Sequence, residues 1–287
     1  MKYFRQLTRM RILLTLRNRT FLFFVIIMPL GFFFLYSGVF AGGIPERVRF
    51  FLGPVIGLTV MGGFWGLSAA LVSYREQGIL RRFHVTPVKA SDMLASSIAA
   101  NFILTVPTVL LELLLARLLF HVRDFGNLIS LASLGAIGIV SFASMGLIVA
   151  SVTNTMQETQ VINQLIWLPL IFLSGATFPF GLLPKAVQKV ALFLPATYLV
   201  TGLQQAILTP AASIWKLKVE AISLGAWAVL AFFVSVQLFR WEPEEKVTRD
   251  AKLYVLATLI PFVILGAWEL KYGGLLMQAQ SAYRSLR

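Results

Sequence analysis

The chain has 287 residues, 58% hydrophobic and only 13% charged, with no cysteine, whereas soluble domains carry about a quarter charged residues. With a mean hydropathy of +0.81, this excludes an ordinary soluble enzyme, a disulfide frame and thiol chemistry, and indicates an integral membrane protein. The net charge of +13 implies no nucleic-acid partner, because basic residues gather at the cytoplasmic ends of membrane spans.

The amino terminus carries Lys2, Arg5, Arg9, Arg11, Arg17 and Arg19 and no acid in its first 20 residues. Helical spacing puts Tyr3, Leu7, Met10 and Leu14 on one face, with Lys2, Arg5 and Arg9 opposite. Residues 1–20 read as an interfacial helix on the inner leaflet, its basic face toward headgroups. Val39-Phe40-Ala41 loosely resembles a signal-cleavage site, but the apolar run from Phe21 to Ala41 is too long for a signal core.

Six stretches are long and apolar enough to cross a bilayer as helices: 21–41, 51–73, 93–119, 128–151, 158–176 and 219–239. A seventh, 253–270, is shorter; a re-entrant or surface-lying segment is its alternative. Backbone in lipid must bond to itself, and nothing suggests a barrel. The expected fold is therefore all-α and integral to the membrane, with six or seven transmembrane helices. The basic amino terminus belongs in the cytoplasm. Alternation then puts loops 74–92, 152–157 and 240–252 inside and 42–50, 120–127 and 177–218 outside. The tail with Lys271, Arg284 and Arg287 ends outside if the seventh segment spans. Pro29, Pro107, Pro169 and Pro261 mark expected kinks.

Small residues recur at helical spacing. Gly53 and Gly57 form one row in the second span and Gly62, Gly66 and Ala70 another; Gly135, Gly138, Ser141 and Ser144 lie in the fourth. Such rows let helices approach closely, within the chain or with a second copy.

Between the second and third spans lies SYREQGILRRFHVTPVKASDM, residues 73–93, charged among apolar neighbours. Residues 74–83 can form a short helix with Ile79, Leu80 and Phe83 on one side and Arg75, Gln77 and Arg82 toward the other. Pro87 ends it, Ser91 is a candidate N-cap for the third span, and Asp92 suits that helix's positive end. The segment is either a solvated basic loop or a docking element. Glu112 lies roughly 30 Å along the helix from Asp92 at 1.5 Å per residue, near the outer interface, where a packing or headgroup contact is expected. Thr155 and Glu158 fit a capping box for the fifth span. Asn101, Gln160, Asn163 and Gln164 are polar residues within spans. They either line a pathway or satisfy one another across helices.

The 171–204 loop carries a second short-helix pattern. Pro184 sits at a helix start, Ala186, Val187, Val190, Ala191 and Leu194 form an apolar face, and Lys185, Gln188 and Lys189 a polar one. Pro195 breaks the chain before another short helix. The pair suggests an outer re-entrant helical elbow.

Three features together resemble the membrane subunits of ABC-2 type exporters: the basic amino-terminal helix, the motif YREQGILRRFHVTPV, and LSGATFPFGLLP followed by LPATYLVTGL. The resemblance covers about residues 1–240, a transmembrane domain. Residues 241–287, beginning RWEPEEKVTRDAK, form a carboxyl-terminal extension outside the usual six-span plan.

The resemblance implies a permease subunit of an ATP-driven exporter in a bacterial or archaeal cytoplasmic membrane, with drug- or lipid-like cargo; polysaccharide is the runner-up. It implies a second permease copy, as homodimer or with a close relative, and two copies of a separate ABC ATPase subunit that carry ATP and Mg. This chain has no G-x-x-x-x-G-K-[ST] phosphate loop, so no cofactor of its own and no hydrolysis are expected. Arg75, Glu76, Gly78, Leu80, Arg81, Arg82, Phe83, Thr86 and Pro87 would form the coupling helix. Ser174, Gly175, Pro179, Pro184, Pro195 and Tyr198 would belong to the outer elbow. An ion-gradient transporter would want mid-membrane acids and an inverted repeat, and a membrane enzyme clustered acids or histidines; the sequence displays neither pattern.

Overall fold

The computed structural model describes residues 2–17, 23–242 and 249–275. Arg19, the first residues of the expected first span, part of the 240–252 loop, and Arg284 and Arg287 lie outside them. Among the described residues every regular element is helical, as expected of an all-α integral membrane protein.

Helix α1 (Lys2–Arg17) lies along α5 (Ala90–Leu119). Leu7, Thr8 and Arg11 are buried, while Tyr3 and Leu14 of the apolar row are exposed. The Arg11 guanidinium donates to the Met93 sulfur at 3.3 Å and sits 5.5 Å from the Tyr74 ring centre. Burial pulls this guanidinium down to about 10, with the Tyr74 hydroxyl acting the other way.

The first apolar segment is α2 (Met28–Phe34), flanked by wider π-helical turns at Phe23–Ile27 and Leu35–Phe40. Pro29 therefore stands in the first turn of α2 and not inside an unbroken helix; the wide turn before it is where the regular bonding pattern lapses. Helix α3 (Pro45–Glu76) starts with proline at its first position and runs 32 residues, well beyond the expected 51–73 on the amino-terminal side.

The short α4 (Ile79–His84) follows a break at Gly78, whose φ of +67° is a left-handed conformation glycine adopts without steric cost. Residues 74–76 thus belong to α3, and the short helix is six residues long. Helix α5 is capped by extended Lys89, so Ser91 lies inside its first turn and does not serve as the cap.

Helix α6 (Leu128–Val152) is capped by Asn127, which accepts from the Ser130 amide at 3.0 Å. The capping box at α7 (Met156–Leu173) forms with one change. Thr155 Oγ1 accepts from the Glu158 amide, but Glu158 reaches the amide of Asn154, at 2.7 Å.

Helices α8 (Lys185–Ala191) and α9 (Pro195–Leu208) meet at a bend of 100°. Helices α10 (Lys218–Gln237) and α11 (Arg249–Tyr272) complete the described chain.

By length and composition, α3, α5, α6, α10 and residues 253–272 of α11 are able to cross a membrane, and the bent α8–α9 pair passes if taken together. The seventh expected span is thus among them. Helix α7 is not, because the first half of its 18 residues holds Gln157, Glu158, Gln160, Asn163 and Gln164.

Helices α3 and α6 form the centre, packed on each other, with α10 against α6 and α9 against α3. Gly53 and Gly57 admit α9: a Cβ on Gly53 would lie 2.6 Å from Gln204 Cα, and one on Gly57 2.9 Å from Val200 Cγ2. Gly62, of the other row, meets nothing within 4 Å. Glu112 is fully buried and accepts from Thr59 Oγ1 at 2.6 Å. It faces α3, not headgroups, because that hydroxyl supplies a donor on the inner side of α5. Helix α11 inserts Phe262 between Trp227 and Tyr198, with ring centres 5.2 and 6.1 Å away.

Around α8 and α9, irregular backbone is satisfied from within the protein. Gln188 is buried, not on an outward polar face as expected, and donates to the carbonyls of Phe180 and Leu183 at 3.1 and 2.9 Å. The Thr197 and Tyr198 hydroxyls donate to the carbonyls of Ala191 and Leu192. Gly175 turns the chain at φ +89° beside buried Ser174. Pro179 precedes the 3-10 turn Phe180–Leu182, Pro184 caps α8 and Pro195 opens α9.

Candidate functional site: a charged knob and the turn it holds

The opposite end of the bundle carries α4. One apolar side chain seats it: Leu80 is 0% exposed, in a cluster with Leu7 of α1 and Met93 of α5. Met10, Tyr74, Phe83, Val88, Phe239 and Trp241 close around them. His84 stacks on Trp241 with ring centres 5.6 Å apart, and Trp241 meets Phe239 edge-on. Thr86 closes the end of α4, its amide and hydroxyl both donating to the Phe83 carbonyl.

The knob's outer face is left bare. Arg81, Arg82, His84, Thr86 and Pro87 are exposed, and Val85 is 88% exposed. Arg81 lies 3.6 Å from Glu242, a solvent-exposed pair of little energetic weight.

Arg75 and Glu76, expected on the same surface, bond instead to the protein's own backbone. Arg75 is 1% exposed. Its Nη1 donates to the carbonyls of Ala150 and Thr153, both at 3.0 Å, and its Nε to that of Arg240 at 3.2 Å. The Glu76 carboxylate accepts from the Met156 amide at 2.9 Å. Arg240 completes the arrangement with bonds to the Thr153 carbonyl and to Asn154 Oδ1, both at 2.7 Å. Sequence reasoning missed Arg240, Asn154 and the α6–α7 turn; a basic residue just past a span reads as topology alone.

The four polar residues within the spans separate. Asn163 is buried and pairs with Ser68 of α3, its Nδ2 at 2.8 Å from Ser68 Oγ. Gln160 and Gln164, also on α7, are exposed. Asn101 is half-buried against Gly63, whose Cβ position lies 2.6 Å from Asn101 Nδ2. Gln160 and Gln164 lie one turn apart on α7, while Asn163 and Asn101 face other partners. Among the described residues no group of three or more His, Cys, Asp or Glu is placed to hold a metal ion.

A family model described as ABC-2 type transporter matches residues 2–208. The chain belongs to that family. The match runs from α1 through the end of α9 and so takes in both knob and elbow, while α10 and α11 lie beyond it.

Similarity to curated proteins is lower. The chain is 27% identical over 153 residues to the probable multidrug ABC transporter permease YbhS of Escherichia coli (strain K12), covering 53% of this chain and 40% of that one. It is 28% identical over 179 residues to the inner membrane transport permease YhhJ of the same strain, covering 61% and 46%. It is 24% identical over 183 residues to the linearmycin resistance permease protein LnrN of Bacillus subtilis (strain 168), covering 64% and 47%. In each case the match spans less than half of the relative's length.

Proposed function

We propose that this ABC-2 family chain is the membrane-spanning subunit of an ATP-driven exporter, worked from the cytoplasm by a separate ATPase that seats on α4. The observation that carries the reading is the two-sidedness of the knob. Leu80 and Phe83 fix it to α1 and α5, while Arg81, Arg82, His84, Val85, Thr86 and Pro87 stand in solvent. Six basic residues in the first twenty favour a cytoplasmic knob end. ATP and Mg belong to the partner, whose closing shifts the spans between two states through its differential contact with the knob.

A second permease copy completes the pathway. Helix α7 exposes Gln157, Gln160 and Gln164 alongside Val161, Leu165 and Leu168. Carboxamides are costly when bare in hydrocarbon, and a facing copy offers them partners or a water-filled path. The open Gly62 position on α3 suits the same close approach. For cargo, the relatives' names speak of multidrug transport and linearmycin resistance, and the largely apolar spans suit a hydrophobic or amphipathic molecule leaving the inner leaflet.

The test is reconstitution with the cognate ATPase and Arg81→Glu with Arg82→Glu. Insertion and thermal stability should hold, while ATPase association and export are lost. A charge-reversed chain that inserts normally and exports at the usual rate contradicts the assignment.

A further inference from the structure

We propose that Arg75 and Glu76 form a two-ended grip on the α6–α7 turn, by which a push on α4 is delivered to the start of α7. The proposal rests on the reading that an ATPase seats on α4. The two residues are consecutive, at the end of α3, directly before the Gly78 break. They hold opposite ends of one short turn. Arg75 bonds the carbonyls of Ala150 and Thr153, in the last turn and at the cap of α6. Glu76 bonds the amide of Met156, the first residue of α7. The signs fit: a helix carries partial negative charge at its carboxyl end and partial positive charge at its amino end.

The two ends differ in exposure. Arg75 is buried, and Arg240, just past α10, straps the same turn through the Thr153 carbonyl and Asn154. The α6 end is therefore a fixed post. Glu76 is exposed, so its bond to α7 faces water and is the one that yields or tightens. Helix α7 is the element with the exposed glutamines, and it leans on α3 through Asn163 with Ser68 and Trp167 with Phe64 and Trp65. Moving its first residue tilts that glutamine face. Glu76 is thus a positioning residue, acting on the pathway through Met156.

The chain lacks cysteine, so Gln160→Cys gives a clean reporter on α7. In the complex with its ATPase in nanodiscs, maleimide labelling of this cysteine should change severalfold on trapping with ATP and vanadate. Glu76→Ala should abolish that change while the ATPase stays bound, and Glu76→Gln, which keeps an acceptor oxygen, should restore most of it. Hydrogen exchange at the Met156 amide, followed without ATPase, should quicken severalfold in Glu76→Ala and less in Glu76→Gln. A Glu76→Ala complex that binds ATPase and retains the full nucleotide-dependent change overturns the grip. An Arg81→Glu, Arg82→Glu chain that still binds ATPase and still shows the change overturns instead the docking on which it rests.

Discussion

Arg75 and Arg240 donate to a single acceptor, the carbonyl of Thr153, from 3.0 and 2.7 Å. They come from the last turn of α3 and from the chain just past α10, 165 positions apart in sequence, and meet where α6 stops. Two cations converge there because α6 presents its unpaired terminal carbonyls to the centre of the bundle. The turn is thereby fixed to both neighbours at the end of the bundle that carries the knob.

Arg240 is consequently a structural post whose loss should be felt throughout the knob end. Hydrogen bonds to charged groups contribute about 1.5–3 kcal/mol each, and losing Arg240 removes one from the Thr153 carbonyl and one from Asn154 Oδ1. Arg240→Ala should lower the melting temperature of the detergent-solubilised protein clearly. Arg240→Lys should recover little, because an ammonium lacks the planar fork that reaches Thr153 and Asn154 together. A lysine variant that melts with the parent protein would show that charge alone matters.

Ser68 and Asn163 join α3 to α7 through a side-chain pair buried at both ends. Double-mutant cycles on such interhelical bonds in membranes average about 0.6 kcal/mol and reach about 1.7. Ser68→Ala, Asn163→Leu and the double variant should give a coupling in that range when unfolding is measured in lipid. Coupling indistinguishable from zero would mean that α7 is not held at Asn163.

The glycine rows should respond oppositely. At Gly53 a methyl group would meet Gln204 Cα at 2.6 Å and its backbone nitrogen at 2.7 Å, atoms that cannot swing aside. Gly53→Ala should therefore push α9 from α3 and sharply reduce folded protein. Gly62→Ala meets nothing within 4 Å and should leave the monomer's stability unchanged. Measured by size-exclusion yield and thermal unfolding, equal damage from both would contradict the packing of α9 on α3.

Punctuation made much of this legible. Prolines at 184 and 195 located the elbow helices, and a charged run between apolar stretches located the knob. Direction was harder. Arg75 lies one residue past Tyr74 at the end of an expected span, where a basic residue ordinarily means solvent. Only carbonyls contributed by α6 and by Arg240 turn it inward. Rise along the helix gave Glu112 a height but no direction, and its side chain follows the Thr59 hydroxyl of α3. Gln188 reads as polar surface until Phe180 and Leu183 prove to need its two N–H groups. Each of these depended on a partner that no local pattern names.

The most direct measurement is a cross-link from the knob. With Arg82→Cys or Val85→Cys as the sole cysteine, the assembled complex should yield an adduct with the ATPase subunit, and ATPase binding should shield that cysteine from a water-soluble maleimide. Full labelling of the same cysteine in the intact, transporting complex, with no ATPase adduct, would contradict the account.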